Sequence, residues 1–320
     1  MMVVMQHSNY LNDINVGATA VDAFFVLSSF LLTMLLLKKC VKMVSESAGY
    51  GKWVSVMVDY FMKRFFRVYP FFALVALLLW WMPFEDKNRF YWIESADKYD
   101  LYKVLTFDYD HRYLMLWTLP LEITYYLYIP LLVLAVLALR QFWWIAALIL
   151  QMWIVNDSLY TYKTHHMLLR PHISTFLQGS LAAVVFVKFD AWRRASAFEF
   201  SRCSAVALRT VECSMLVVLI SECTRAVFYK WIHEPFVVAP PGDPFISVWL
   251  AYIIVIEMIL PSPTSAALEW NVLRYWGKVS FSLYLLHPFV IYSERIQNLN
   301  NFYDRLFAKV VLLLSLTSAS

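Results

Sequence analysis

The stretch His7–Leu37, HSNYLNDINVGATAVDAFFVLSSFLLTMLLL, decides how the rest of the chain is read. A histidine follows a short apolar segment, a polar loop with Gly17 comes next, and from Val21 the residues are apolar almost without break to Leu37. A run of roughly 17 to 25 apolar residues is the length that crosses a bilayer core as a helix. Asp22 stands one residue inside that run. An ionisable side chain there is expensive, so it is a functional hypothesis by default. His7 falls near the expected water boundary, beside a helix end, where an imidazole can take a hydroxyl proton at neutral pH. The competing reading of His7 is a polar residue that only marks the end of a segment.

Composition extends this reading to the whole chain. Of 320 residues, 61% are hydrophobic and 16% charged, against about 25% charged in a soluble domain. Mean hydropathy is +0.58. With no water in the hydrocarbon, backbone groups must pair internally, so the apolar runs are expected to be helices. The alternating dyad of a membrane barrel is absent. The fold class is therefore all-α, a polytopic transmembrane helix bundle of about ten spans, the first and last incomplete. No linker or repeat divides it, so residues 1–320 are expected to form a single membrane-embedded domain. The opening Met-Met-Val-Val-Met lacks the basic region and cleavage site of a signal peptide. Cys40, Cys203, Cys213 and Cys223 show no metal spacing and are expected to be small buried hydrophobes.

The expected full spans are 21–37, 65–83, 115–139, 142–155, 173–187, 206–220, 245–260 and 273–291, with partial ones at 1–11 and from 306 onward. Basic residues crowd the loop after 21–37 (Lys38, Lys39, Lys42, Lys52, Lys63, Arg64, Arg67) and the loop after 173–187 (Lys188, Arg193, Arg194, Arg202, Arg209). Loops rich in Lys and Arg stay cytoplasmic, which puts His7 at the outer or luminal end. Asn156-Asp157-Ser158 is a glycosylation sequon that would lie in an outer loop.

Several residues are candidates for chemistry, each with a plainer alternative. Arg64 and Arg67 lie one turn apart on a helix face, a spacing that can grip phosphate bidentately, or that can simply snorkel to the membrane surface. Glu122 lies a turn inside an apolar span, four residues from Tyr126, where a carboxylate must pair, protonate or line a cavity. Its alternative is a structural partner to an arginine. Ser28, Arg170, Tyr284 and His287 are weaker candidates near span ends or on polar positions. His172, Gln178 and Gly179 stand in the sixth span. No metal site is expected, since His165-His166 and Asp110-His111 lack further ligands at metal spacing.

Five stretches, in order, resemble the acyltransferase-3 family of integral-membrane O-acyltransferases, which includes bacterial O-antigen acetylases and the animal nose-resistant-to-fluoxetine-like proteins. Val21-Asp22-Ala-Phe-Phe-Val-Leu-Ser28-Ser29-Phe-Leu-Leu resembles its V-D-x-F-F-x-L-S-G-F-L signature. Lys63-Arg64-Phe-Phe-Arg67-Val-Tyr-Pro70 is similar to R-R-x-x-R-x-x-P. The stretch from Trp117 through Glu122 and Tyr126 to Pro130 is similar to W-S-L-S-V-E-x-x-F-Y-L-x-x-P. Phe176-Leu-Gln-Gly179-Ser-Leu-Ala resembles F-x-x-G-x-L-A, and Gly277 through Ser280 and Tyr284 to His287 matches G-x-x-S-F-x-L-Y-L-x-H.

The resemblance implies transfer of an acyl group, commonly acetyl, from cytoplasmic acyl-CoA to a hydroxyl of a carbohydrate, glycolipid or other extracytoplasmic acceptor. It puts the essential histidine at His7, the paired arginines at Arg64 and Arg67, and the glutamate at Glu122. No permanently bound cofactor is expected; acyl-CoA (acetyl-CoA) is the donor substrate. The expected partners are the bilayer, acyl-CoA and the acceptor, with no nucleic acid, in the plasma membrane or an endomembrane. The chain departs from the family in three ways. Ser29 stands for a usual glycine and Ile123 for a frequent second carboxylate. An arginine expected eleven residues before His7 would precede Met1, so truncation at both ends is expected. A polytopic transporter and a catalytically inactive relative are the alternatives; the inverted or parallel repeats of a transporter are not found.

Overall fold

The computed structural model describes residues 16–95, 98–160, 167–224 and 245–299, with residues 3, 227, 231, 304, 305, 308, 309, 311, 312 and 315. Among these, every regular element is helical. The long helices are α1 (Val16–Ser45), α2 (Tyr50–Trp81), α3 (Thr118–Ala138), α4 (Trp143–Tyr160), α5 (Ile173–Ser196), α6 (Arg202–Cys223), α7 (Ile246–Ile259) and α8 (Asn271–Ile291). Six of them, α1 to α6, are long and apolar enough to cross a membrane. Helix α7 is apolar but has only 14 residues, and α8 has 21 but carries Arg274 and Lys278.

The chain divides into two compact units, one of Met1–Met57 with Glu122–Ala267, the other of Val58–Leu121 with Leu268–Ser320. In the first unit α5 is the central element, buried at Ser174, Thr175, Phe176 and nearly every position from Gln178 to Val187. Its most extensive partner is α1, followed by α7 and α4. Helix α1 buries Asp22, Phe25, Val26, Ser29, Phe30, Thr33, Leu37 and Cys40, in the steps of three and four that define one helix face. Phe24, Leu27, Leu31 and Leu35 on the other side are exposed yet equally apolar. A soluble helix would be polar there; a helix facing lipid need not be.

Contacts along the helices fix their directions within this unit. Phe25 meets His172 and Phe176, Val26 and Ser29 meet Gly179, Thr33 meets Ser180, and Lys38 lies over Phe186. Both series of numbers rise together, so α1 and α5 are parallel. Leu181 packs with Val248 and Arg193 reaches the Ile259 carbonyl, so α7 is parallel to α5. Asp157 meets Arg170 while Ile154 packs with Leu181, so α4 runs the other way. Arg209, near the start of α6, reaches Glu257 and the Leu260 carbonyl at the end of α7, so α6 is antiparallel to α7. Helices that cross a membrane one after another must alternate in this way.

The C-terminal carbonyls of α7 are held from two sides. Arg193 Nη1 donates to the Ile259 carbonyl at 2.9 Å, and Arg209 Nη2 donates to that of Leu260. Guanidinium groups at a helix C-terminus satisfy orphan carbonyls and meet the negative end of the dipole. Arg209 Nη1 also donates to buried Glu212 and, at 3.1 Å, to Glu257, which accepts the Ser262 hydroxyl at 2.6 Å. Glu212, an acid inside an apolar run, is thus compensated by an arginine one turn earlier.

In the second unit, tyrosine hydroxyls tie helices and connecting segments together through backbone carbonyls. Tyr91 donates to Leu285 at 2.6 Å, Tyr99 to Ala76 at 2.6 Å and Tyr69 to Leu105 at 3.2 Å. Pro288 lies inside α8 and has no N–H, which leaves the Tyr284 carbonyl without its helical donor. His287 Nδ1, 2.6 Å away, takes that place. A nitrogen bonded to a carbonyl must carry the proton, so the contact sets the His287 tautomer.

Several sequence expectations change. The segment 38–63, expected as a loop, is almost wholly helical: α1 continues to Ser45, α2 begins at Tyr50, and Lys52 bonds Glu46 at 2.6 Å between them. Long polar-ended helices can run past a bilayer, which a hydropathy boundary does not see. The sequon is not in a loop either: α4 extends to Tyr160 and the Ser158 hydroxyl donates to the Ile154 carbonyl at 2.8 Å. Cys40 is buried as expected, but Cys203 and Cys213 are exposed on α6. The expected break at Arg140-Gln141 is present, with Arg140 in a left-handed conformation at φ 48° that ends one helix before the next begins.

Candidate functional site

In the first unit, α1, α3 and α5 share a buried polar seam. Glu122 is 4% exposed, four residues into α3. Its Oε1 accepts from Ser28 Oγ at 2.6 Å and from the Tyr126 hydroxyl. The i, i+4 spacing of Glu122 and Tyr126 seen in the sequence is thus a direct hydrogen bond. Two hydroxyl donors on one oxygen are the kind of satisfaction a buried carboxylate requires. Further along α1, Thr33 Oγ1 donates to Ser180 Oγ at 2.8 Å, and the Tyr125 hydroxyl and Ser180 Oγ lie 2.7 Å apart. The Tyr125 ring stacks on Phe176, which stacks on Phe25, at centroid distances of 4.6 and 4.4 Å.

The seam closes because α1 and α5 approach at backbone distance. A Cβ placed on Gly179 would collide with Ser29 Oγ and the Val26 carbonyl. Thr175, Gly179 and Ala183 repeat at four-residue spacing along α5, the small-residue pattern that lets membrane helices come close. Ser29 spends its hydroxyl on the Phe25 carbonyl at 2.8 Å.

One turn or two before Ser28, Asp22 faces His172. Both are buried, at 7% and 3% exposure, and Asp22 Oδ1 lies 3.9 Å from His172 Nδ1. Phe25 stands edge-on to the imidazole at 5.6 Å. Among the sequence candidates, Asp22, Ser28, Glu122 and Tyr126 therefore come together on one unit. The sequence marks His172 only weakly, since a lone histidine is more often a hydrogen-bonded packing residue. Its partner is 150 positions away in sequence, so nothing local announces the pair.

Of the remaining candidates, Arg170 is in the first unit, four are in the second unit and His7 is not among the described residues. Arg170 is exposed, bonds buried Asp157 at 2.8 Å and lies 5.6 Å over the Trp153 ring, so its charge is committed to α4. Arg64 and Arg67 are on α2 in the second unit, Arg64 half-buried one turn after buried Tyr60 and Arg67 exposed. Tyr284 and His287 also belong to the second unit, where His287 Nδ1 bonds the Tyr284 carbonyl within α8. His7 lies outside the described residues. Among the described residues, no three His, Cys, Asp or Glu gather as metal ligands would.

A helical chain with membrane-length spans and a satisfied carboxylate among them belongs to the class of polytopic membrane proteins with intramembrane polar sites. The family can be stated more closely. The profile of the acyltransferase domain family, Acyl_transf_3, matches residues 1–318, and the chain belongs to that family. No curated protein and no solved structure matches it.

Proposed function

We propose that this protein is a membrane O-acyltransferase that moves an acyl group, acetyl in the first instance, from acyl-CoA to a hydroxyl of a carbohydrate, glycolipid or other extracytoplasmic acceptor. The observation that carries the reading is Glu122, a carboxylate buried among membrane helices and held by Ser28 and Tyr126, in a chain of the acyltransferase family. The proposal extends to about ten crossings, with the basic 38–67 region cytoplasmic.

In this mechanism Arg64 and Arg67, one turn apart on α2, meet the phosphates of acyl-CoA. His7 deprotonates the acceptor hydroxyl, or carries the acyl group transiently. Glu122 holds the local polar network in register and orients a neighbouring cation or imidazole. A positioned donor polarises the thioester carbonyl as charge builds on its oxygen.

The test is binding of a non-hydrolysable acetyl-CoA analogue to wild type and variants, beside transfer to a pool of glycans and lipids. Arg64→Lys and Arg67→Lys should each weaken binding about tenfold, because lysine keeps the charge but not the planar fork. His7→Ala should bind normally and lose about a hundredfold or more in transfer. A wild-type protein with no affinity for the analogue would overturn the acyltransferase reading. Normal transfer by His7→Ala would remove His7 from it.

A further inference from the structure

We propose that Asp22 and His172 form a carboxylate–imidazole pair in which His172 takes the proton of the acceptor hydroxyl, with Asp22 as its positioning residue. The inference rests on the acyltransferase reading in the form in which His7 carries the acyl group transiently, and it gives the proton of the acceptor to a second histidine.

The geometry is specific. Asp22 and His172 are both buried and their facing atoms lie 3.9 Å apart. That separation suits an ion pair and is longer than a hydrogen bond. A carboxylate on the Nδ1 side favours a proton on that nitrogen and turns Nε2 into the proton acceptor. The Phe25 ring packs edge-on against the imidazole at 5.6 Å. A carboxylate and an imidazole inside hydrocarbon are each costly, and helix association alone needs neither.

Position along the bundle argues for the acceptor side. Asp22 and Lys38 are on the same helix, about 24 Å apart at the helical rise of about 1.5 Å per residue. Lys38, Lys39 and Lys42 mark the end of α1 that the basic-residue bias keeps in the cytoplasm. The Asp22–His172 pair is at the other end, where an extracytoplasmic hydroxyl would arrive. Glu122 and Ser28 lie between.

The step balances as follows. The acceptor oxygen attacks the acyl carbon and its O–H bond breaks, the proton going to His172 Nε2. The bond from the acyl carbon to its carrier, a His7 nitrogen, then breaks and the electron pair leaves with that nitrogen. The proton passes from His172 to the carrier atom, so the products are the ester and the protonated carrier. Asp22 offsets the positive charge while His172 holds two protons.

The test uses the full chain in detergent micelles or nanodiscs, with radiolabelled acetyl-CoA as donor and octyl glucoside as the hydroxyl probe. His172→Gln should keep acetyl-CoA binding and the KM for octyl glucoside, and lose about a hundredfold in kcat. Asp22→Asn should lose about tenfold, and the double variant should be no slower than His172→Gln alone, as two residues acting as one unit require. Size-exclusion profiles establish that each variant is folded. If His172→Gln does not fold, the split between kcat and KM in Asp22→Asn decides instead. A kcat within about threefold of wild type in the folded variant overturns the pair's role and leaves the family reading standing. A wild type that binds no acetyl-CoA sinks both.

Discussion

At the scale of single residues, Glu122 shows how a membrane protein keeps an acid where acids are costly. Ser28 and Tyr126 both donate to one of its oxygens, and both donors lose their acceptor if the carboxylate is removed. Glu122→Ala is expected to destabilise the protein by about 2–4 kcal/mol, more than Tyr126→Phe at about 1–2 kcal/mol. Thermal unfolding in detergent measures both, and equal midpoints for the two variants would contradict the hydrogen-bond accounting. Glu122→Gln keeps an acceptor for the two hydroxyls and should fold, but should transfer acyl groups poorly. Glu122 and its Tyr126 partner were legible because both lie on one helix with i, i+4 spacing. Ser28 as the third member was not, since nothing in one span names the position it faces on another.

At the scale of helices, the α1–α5 contact is set by what is missing at Gly179. Gly179→Ala should cost about 1–3 kcal/mol, the usual penalty for overpacking a close contact. Ser29→Gly removes the hydroxyl that an added Cβ would strike but leaves the Val26 carbonyl in place. The double variant should therefore recover only part of the loss, and its unfolding midpoint should fall between wild type and Gly179→Ala. An unchanged midpoint in Gly179→Ala would show that the helices can separate at no cost. The sequence marks both positions, one as a signature glycine and the other as a serine where the family usually has glycine. That the two marks touch is a tertiary fact. Helix ends were the least legible feature, because α1, α2, α4 and α5 all extend past the apolar segments that announce them. Charged residues stop a hydropathy run without stopping a helix, as Lys38, Lys39 and Lys42 do on α1.

At the scale of the molecule, alternating crossings predicted from runs of apolar sequence agree with the observed directions of α1, α4, α5, α6 and α7. The chain should therefore emerge on one side after α1 and after α5, and on the other side before α5. Single cysteines at Ser47 and Ala197, in a background lacking the native four, should be labelled from the same face, and one at Met167 from the opposite face. Basic-residue bias makes the shared face cytoplasmic. Labelling of Ser47 and Ala197 from opposite faces would contradict the parallel pairing. The parallel arrangement has a further meaning in time. Asp22 and His172 are 150 residues apart in the order of synthesis. At about 5–20 residues per second, α1 leaves the ribosome roughly 8–30 s before His172 exists. Through that interval the nascent first helix carries its acid with no imidazole to face, so it must wait in the insertion machinery or hold a proton until the fifth helix is made.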